Sequence, residues 1–281
     1  MSQITTNNQY KFLVATDMDY TLLMPGTPVS EANRQAVKAI QKAGGAFTLA
    51  TGRTSFLTGI YSDDLDVTVP LITSNGASLF DPVTRKDIFS ADFPEEINRK
   101  LIKLFLENNT DATGYSDEGI LFAPNSSRRE FVQNYNNGIP DRIKALTGEI
   151  TWDTLEGKLP NINKYLLIKA NEHILHELDL IPELQVVMSA VDFYDVMLTG
   201  TSKGLALLEL AKKLNIPEGK VFALGDSDND IPMLDAADYA VVMGGSKEEI
   251  LKHADYVTLD CQHDGFAKAV TEFIIPQALD Q

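Results

Sequence analysis

Short apolar runs alternate with amphipathic stretches along the chain, and this alternation predicts a repeating strand–helix order. Residues 10–15 form a compact apolar run that ends in a crowd of polar residues. Its length and flanks predict a buried strand, since strands run roughly 4–8 residues. Ser30 then precedes a stretch in which Ala36, Val37, Ile40 and Ala43 share one helical face. A serine hydroxyl there can accept a hydrogen bond from a first-turn N–H, which makes Ser30 the expected N-cap. Gly44-Gly45 ends the helix, because glycine enters the left-handed conformation without a Cβ clash. Residues 46–50 and 70–73 read as a second and third buried strand. Buried strands joined by a helix predict parallel α/β crossovers.

The rhythm changes after Asn75-Gly76. Asp81-Pro82-Val83-Thr84-Arg85 has the composition of a turn that leaves one unit for another. Pro94 can open a helix on which Ile97, Leu101, Ile102, Leu104 and Phe105 line up. Residues 162–170, 184–190 and 191–198 read as strands, with a helix at 172–180. These features predict an α+β unit inserted at 83–199 between two halves, 1–82 and 200–281, of a discontinuous core. In the second half, Ser202 should cap a helix carrying Leu205, Leu207, Leu208, Ala211 and Leu214. Residues 221–224 and 239–243 read as strands, and 231–236 and 247–253 as helices. The predicted class is α/β, a Rossmann-like parallel-sheet core with helices on both faces plus the insertion. In open parallel sheets ligands sit at the carboxyl ends of strands, and every unusual polar cluster of this chain falls at such an end.

Composition sharpens this picture. A chain of 281 residues exceeds the roughly 100–200 residues usual for one core, in keeping with two units. With 44% hydrophobic and 23% charged residues, 18 Gly and 12 Pro, it has the balance of a globular protein and no low-complexity excess. The 24 basic against 40 acidic residues give a net charge of −16, which repels phosphate backbones and anionic lipid. Nucleic-acid and membrane-surface partners are therefore not expected. A single cysteine, Cys261, excludes an internal disulfide framework and a multi-cysteine zinc site, and a buried thiol is its expected state. The start, Met1-Ser2-Gln3-Ile4-Thr5-Thr6-Asn7-Asn8, lacks the basic and apolar segments of a signal peptide. No window reaches the ~18 apolar residues of a membrane span, so a cytoplasmic location is the default, as a monomer or weak homo-oligomer.

Asp17-Met18-Asp19-Tyr20-Thr21 follows the first strand. Two carboxylates at i and i+2 can enter one crevice if the chain turns out of the sheet, and each then raises the other's pKa unless a cation intervenes. A solvated acidic loop is the alternative reading of this pentapeptide alone. Gly225-Asp226-Ser227-Asp228-Asn229-Asp230 follows a later strand. It fails as a calcium loop, since Ile231 stands where glycine must turn and Ala237 where a bidentate glutamate belongs. A carboxylate patch at a strand end suits Mg²⁺ better. Lys203 sits in the first turn of a helix, where a cation opposes the macrodipole; helix stability does not explain it, whereas two nearby aspartate clusters do. Thr51-Gly52-Arg53 ends the second strand and offers a hydroxyl, an approachable backbone N–H and a planar donor fork.

Taken in order, the strings Asp-Met-Asp-Tyr-Thr, Ala-Thr-Gly-Arg, Ser-Asn-Gly-Ala, Ser-Lys-Gly and Gly-Asp-Ser-Asp-Asn-Asp resemble the haloacid dehalogenase-like (HAD) phosphohydrolase superfamily, in particular its Cof-type branch. The resemblance spans nearly the whole chain and implies that the 83–199 unit is a large α/β cap domain. It departs at Tyr20, often glycine, and at Gly244-Gly245, often glycine-asparagine. The resemblance implies Asp17 as nucleophile and Asp19 as general acid and base. It implies Mg²⁺ held by the Asp17 carboxylate, the Asp19 carbonyl and Asp226, with Asp230 orienting or completing the shell and Asn229 hydrogen-bonding near it. Thr51, Gly52 and Lys203 would stabilise the phosphoryl oxygens, with Arg53 and Asn75 also on the phosphate or substrate. A cation is needed because a phosphate dianion at ~4 Å from an anionic nucleophile is repelled by about 4 kcal/mol per charge pair at an effective dielectric near 20.

The function implied is a Mg²⁺-dependent phosphatase of small phosphorylated metabolites, sugar phosphates foremost. The alternatives are a sugar-phosphate mutase, distinguished by isomer formation in place of phosphate release, and a non-catalytic metal- or phosphate-binding regulatory module, which needs no acid/base carboxylate. Within the insertion, Arg128, Arg129 and Lys164 are candidates for a polar substrate, but composition favours solvated surface. His173 and His176 could share a helix face, yet they lack partner ligands for a metal.

Overall fold

The computed structural model describes residues 10–116 and 118–280; the N-terminal segment read as lacking a leader lies outside the described residues. In chain order the first half contains β1 (Phe12–Thr16), α1 (Glu31–Lys42), β2 (Gly45–Leu49), α2 (Gly59–Asp64), β3 (Leu71–Thr73), β4 (Ser78–Asp81) and β5 (Lys86–Ser90). The middle contains α3 (Glu95–Glu107), β6 (Asp111–Ser116), β7 (Ile120–Phe122), α4 (Arg128–Asn137), β8 (Thr147–Glu149), β9 (Ile162–Ile168), α5 (Glu172–Asp179), β10 (Leu184–Ala190) and β11 (Phe193–Leu198). The last part contains α6 (Lys203–Lys213), β12 (Val221–Gly225), α7 (Ile231–Ala236), β13 (Tyr239–Val242), α8 (Glu248–Leu251), β14 (Tyr256–Val257), α9 (Gly265–Ala269) and α10 (Ile275–Leu279).

The central sheet is parallel throughout, in the order β14-β13-β12-β1-β2. Every residue of β1, β2 and β12 is buried, as expected of parallel strands covered on both faces. Ser30 caps α1 by accepting from Asn33 N–H, and Ser202 caps α6 by accepting from Leu205 N–H. The buried side of α6 differs from expectation. Leu207, Leu210, Ala211 and Leu214 pack inward, while Leu205 and Leu208 are exposed, because the helix is apolar around more than half its circumference and only the 207/210/211/214 stripe meets the sheet.

The third predicted strand is present and buried as β3, but it lies at the margin of the central sheet, joined to it by the parallel Ala50–Ile72 bridge, and forms an antiparallel sheet with β4 and β5. The Asp81–Arg85 turn, read as an exit to another unit, closes the β4–β5 hairpin; Asp81 accepts from Val83 N–H and Arg85 N–H reaches its carbonyl. The middle of the chain builds a six-stranded sheet in the order β10-β11-β9-β6-β7-β8, richer than the three strands expected there. Its β6, Asp-Ala-Thr-Gly-Tyr-Ser, has no apolar alternation to betray it. Apolar packing separates accordingly. One cluster joins residues between Phe12 and Phe80 to residues between Ala206 and Ala278; a second is drawn from Phe93 to Val196. A third, small cluster seats Leu57 against Tyr115, Phe122 and Leu166, so the two sheets meet there.

Gly76 holds the loop after β3 against the start of α6. Its φ is +91°, and a Cβ built on it would lie 2.1 Å from the Ser202 carbonyl oxygen. Replacement by alanine therefore combines backbone strain with overpacking. Gly76→Ala is expected to cost about 1–3 kcal/mol or more, read as a lower denaturant midpoint with an unchanged slope.

Candidate active site

The loops that leave β1, β2, β3 and β12 converge at the carboxyl edge of the central sheet. Asp17 follows β1 and is 6% exposed. Lys203, the first residue of α6, is fully buried and donates to Asp17 Oδ1 at 2.6 Å and Asp230 Oδ1 at 2.7 Å. Gly204 makes this possible: a Cβ there would meet the Pro232 carbonyl oxygen at 2.0 Å, so α6 can press against the start of α7 and deliver Lys203 to the strand ends. Asp230 Oδ2 accepts from the backbone N–H of Asp226 and Ser227 and from Ser227 Oγ. Both of its oxygens are thus engaged. Asp226 Oδ1 accepts from Thr21 Oγ1 at 2.8 Å, which ties the β12 loop to the β1 loop.

Asp17, Asp226 and Asp230 each bring one carboxylate oxygen within 4.8 Å of the others. Three carboxylates face one ammonium, and the electrostatics register the excess. Asp17 is pushed up to about 8, first by burial and then by the charges of Asp230 and Asp226, against the pull of Lys203. Asp226 is pushed up to about 6 by burial and Asp230, against the Thr21 hydrogen bond and Lys203. Burial alone would lower Lys203, but the two aspartates hold it above the usual lysine value. Clustered hard oxygen donors carrying surplus negative charge fit a hard divalent cation.

Asp19 lies outside this trio. Its carboxylate takes the Arg53 fork, with Nε to Oδ2 at 2.8 Å and a terminal nitrogen to Oδ1 at 2.6 Å. The fork expected to meet a phosphate is therefore occupied by Asp19, the nearest carboxylate with matching bidentate geometry. Burial opposes the Arg53 charge, but Asp19 outweighs it. Thr51 lies beside them with its hydroxyl accepting from Arg53 N–H. Asn75, in the left-handed region at φ 55°, receives a bond from Asn229 Nδ2 on its Oδ1 and donates to Asp195 Oδ2 at 2.9 Å. Tyr20 also has a positive φ, 65°, which accounts for glycine being usual at that place, and its ring is 54% exposed.

The six-stranded sheet contributes residues that sequence reasoning placed on the surface or missed. Lys164 is 4% exposed and Asp195 2%; they pair at 3.0 Å, and Lys164 Nζ also donates to the Gly52 carbonyl at 2.7 Å. The expectation of a solvated Lys164 is thereby overturned. Its signal was available: a lone charge inside each of two apolar strands, Asn-Lys-Tyr-Leu-Leu and Phe-Tyr-Asp-Val-Met, of opposite sign. Arg128 lines the same cleft, whereas Arg129 pairs with Glu149 at the surface. His173 and His176 are exposed. Cys261, expected to be buried, is half-buried in a neighbouring depression beside Asp226 and Gly244-Gly245; burial and then the Asp226 and Asp260 charges push its thiol up to about 11. Above the acidic trio the cleft encloses about 760 Å³, bounded by Asp17, Asp19, Thr51, Gly52 and Arg53 on one side and Tyr115, Arg128, Tyr135, Lys164 and Asp195 on the other.

Comparison with known proteins agrees with this geometry. Residues 14–270 match the haloacid dehalogenase-like hydrolase family. The chain belongs to that family. It is 28% identical over 285 residues to phosphatase YwpJ of Bacillus subtilis, covering 91% of this chain and 97% of the relative. It is 27% identical over 273 residues to the 5-amino-6-(5-phospho-D-ribitylamino)uracil phosphatase YcsE of the same organism, covering 94% and 96%. Among solved structures, the HAD subclass IIB sugar phosphatase BT4131 superposes with a TM-score of 0.74 at 22% identity, covering 94% of this chain and 99% of that one. The family member described here is a phosphatase. Among its described residues no helix is long and apolar enough to cross a membrane.

Two outcomes follow from the charge balance. Asp17 and Asp226 hold protons more tightly folded than unfolded, where carboxyls titrate near ~4. Without a divalent cation, stability therefore falls as pH rises from about 4 through the folded values of about 6 and about 8. Melting temperatures in chelator should drop between about pH 5 and pH 8, and added Mg²⁺ should recover them. Lys203→Met leaves Asp17 and Asp230 buried without their cation and should cost about 3–5 kcal/mol, less at low pH where Asp17 is neutral.

Proposed function

We propose that this phosphatase hydrolyses small phosphorylated metabolites, sugar phosphates foremost, with Mg²⁺ bound at Asp17 and Asp226 and an aspartyl-phosphate formed on Asp17. In this reading residues 1–82 and 200–281 are the catalytic core and 83–199 the cap that reads the leaving group. The observation that carries it is the buried Lys203 bridge: it grips Asp17 by Oδ1 and fixes Asp230 beside it, on the floor of the cleft. The sugar-phosphate preference is supported by the fold shared with BT4131 and by the polar pair Lys164–Asp195, which suits hydroxyl groups.

When bound, the cation would screen the nucleophile from the phosphate and polarise a phosphoryl oxygen. Lys203 holds the Asp17 carboxylate in one orientation, so its attack on phosphorus is in line with the departing ester oxygen. The P–O bond to the alcohol breaks as the Asp17–phosphorus bond forms. Asp19, freed from Arg53 when the guanidinium turns to the incoming phosphate and then protonated from solvent, gives that proton to the leaving alkoxide. Water then attacks the aspartyl-phosphate, Asp19 takes a proton from it, and inorganic phosphate leaves with Asp17 restored. Thr51, the Gly52 N–H and Asn75 border the phosphate, and Asp230 spends both oxygens positioning Lys203 and the Asp226 loop.

The test is a panel of phosphate esters assayed for phosphate release and for isomer formation, with and without chelator. Release from sugar phosphates that stops in chelator and returns with Mg²⁺ is the expected result; isomer formation without release would make the protein a mutase. Asp17→Asn should lower turnover by roughly 10⁴-fold or more with an unchanged circular dichroism spectrum. Residual activity within about tenfold of the parent would remove Asp17 from the nucleophile role.

A further inference from the structure

Three cations line the cleft, and two of them are already neutralised. Arg53 is taken by Asp19, and Lys164 by Asp195 and the Gly52 carbonyl. Arg128 differs: among the described residues it has no carboxylate partner, and its Nε is buried without a hydrogen-bond acceptor. Nothing about helix stability asks for it. Arg128 is the first residue of α4, where a cation opposes the macrodipole, and α4 gains no side-chain cap there. Its guanidinium instead lies over the Phe131 ring at 3.8 Å and hydrogen-bonds the Tyr115 hydroxyl, which fixes the plane of the group while its Nε stays without an acceptor. The Tyr135 hydroxyl, also lining the cleft, is a second buried polar atom without a partner. Burial, with the nearby Tyr61, holds that hydroxyl up at about 12, so it remains a donor. A fixed guanidinium whose Nε lacks an acceptor and a neutral phenol without a partner, both opening on the cleft, are the complement of an oxyanion.

We propose that Arg128, with Tyr135, binds a second oxyanion on the leaving group, so that the preferred substrates are phosphate esters of an acid: sugars or polyols that also carry a carboxylate or another phosphate. The proposal rests on the phosphatase reading above and narrows its substrate class. The net charge of −16 makes such a doubly anionic ligand unwelcome in the general field, so its recognition must be local, and among the described residues Arg128 is the cleft cation without a carboxylate partner.

Matched pairs of esters test this: phosphoglycerate against glycerol phosphate for a carboxylate, and fructose bisphosphate against fructose monophosphate for a second phosphate. The expected result is a kcat/KM preference of about tenfold or more for the acidic member of at least one pair, carried mainly by KM. Arg128→Gln should collapse that ratio to within about threefold, Arg128→Lys should keep part of it, and Tyr135→Phe should reduce it less. Equal use of both members by the parent protein, or an Arg128→Gln variant that keeps the ratio or weakens both members alike, overturns the proposal. Calorimetric affinities of Asp17→Asn for the same ligands in Mg²⁺ read the ratio without turnover. If no ester, nitrophenyl phosphate included, releases phosphate, the phosphatase reading fails, while the affinity ratio still decides the role of Arg128.

Discussion

A fully buried lysine between two aspartates is the constraint on which the rest of this molecule depends. Lys203 can occupy that position only because α6 begins at the carboxyl edge of the sheet, because Gly204 lets α6 meet the backbone at Pro232, and because Asp230 is folded back by its own loop. Each of those features belongs to a different segment, so one ammonium draws together the first strand, the second half of the core and α7. Desolvating these charges is costly, and the pair is not a gain over a well-packed apolar core. Its value is geometric. The Asp17 carboxylate has one orientation and a neighbour whose charge cannot titrate away near neutral pH.

The surplus of one more carboxylate, Asp226, turns that arrangement from a structural bracket into a cluster that could hold a cation. Had Asp226 been neutral, Lys203 would face two aspartates in a compact triad with little appetite for metal. With it, the site is electrically incomplete, and Thr21 is the only hydroxyl described as tempering Asp226 directly. Incompleteness of the same kind, with the opposite sign, distinguishes Arg128 on the facing wall. The cleft thus has an anion-rich floor and, on its far side, one cation without a carboxylate partner among the described residues.

Much of this was readable from residues alone, for physical reasons. Fully buried parallel strands are apolar runs that cannot be confused with turns, so β1, β2 and β12 stood out, and the carboxylates at their ends were conspicuous because nothing structural requires them there. The anomalous lysine at the head of α6 was legible for the same reason. What the sequence concealed was pairing between distant segments. β6 and β8 are short and polar and become strands only because β9 and β7 offer partners. The Arg53 fork and Asp19 are each easy to find, but their mutual engagement depends on how the loops after β1 and β2 approach. Lys164 was misjudged because frequency argues for exposure, while its apolar flanks argued for burial with a partner, and that partner, Asp195, went unremarked.

The bonds from Lys164 to the Gly52 carbonyl and from Asn75 to Asp195 have a mechanical consequence. They fasten the roof of the chamber to its walls with no guest inside, using charged groups sheltered from water. Any motion that parts the two sides of the chamber must first break both of these ties.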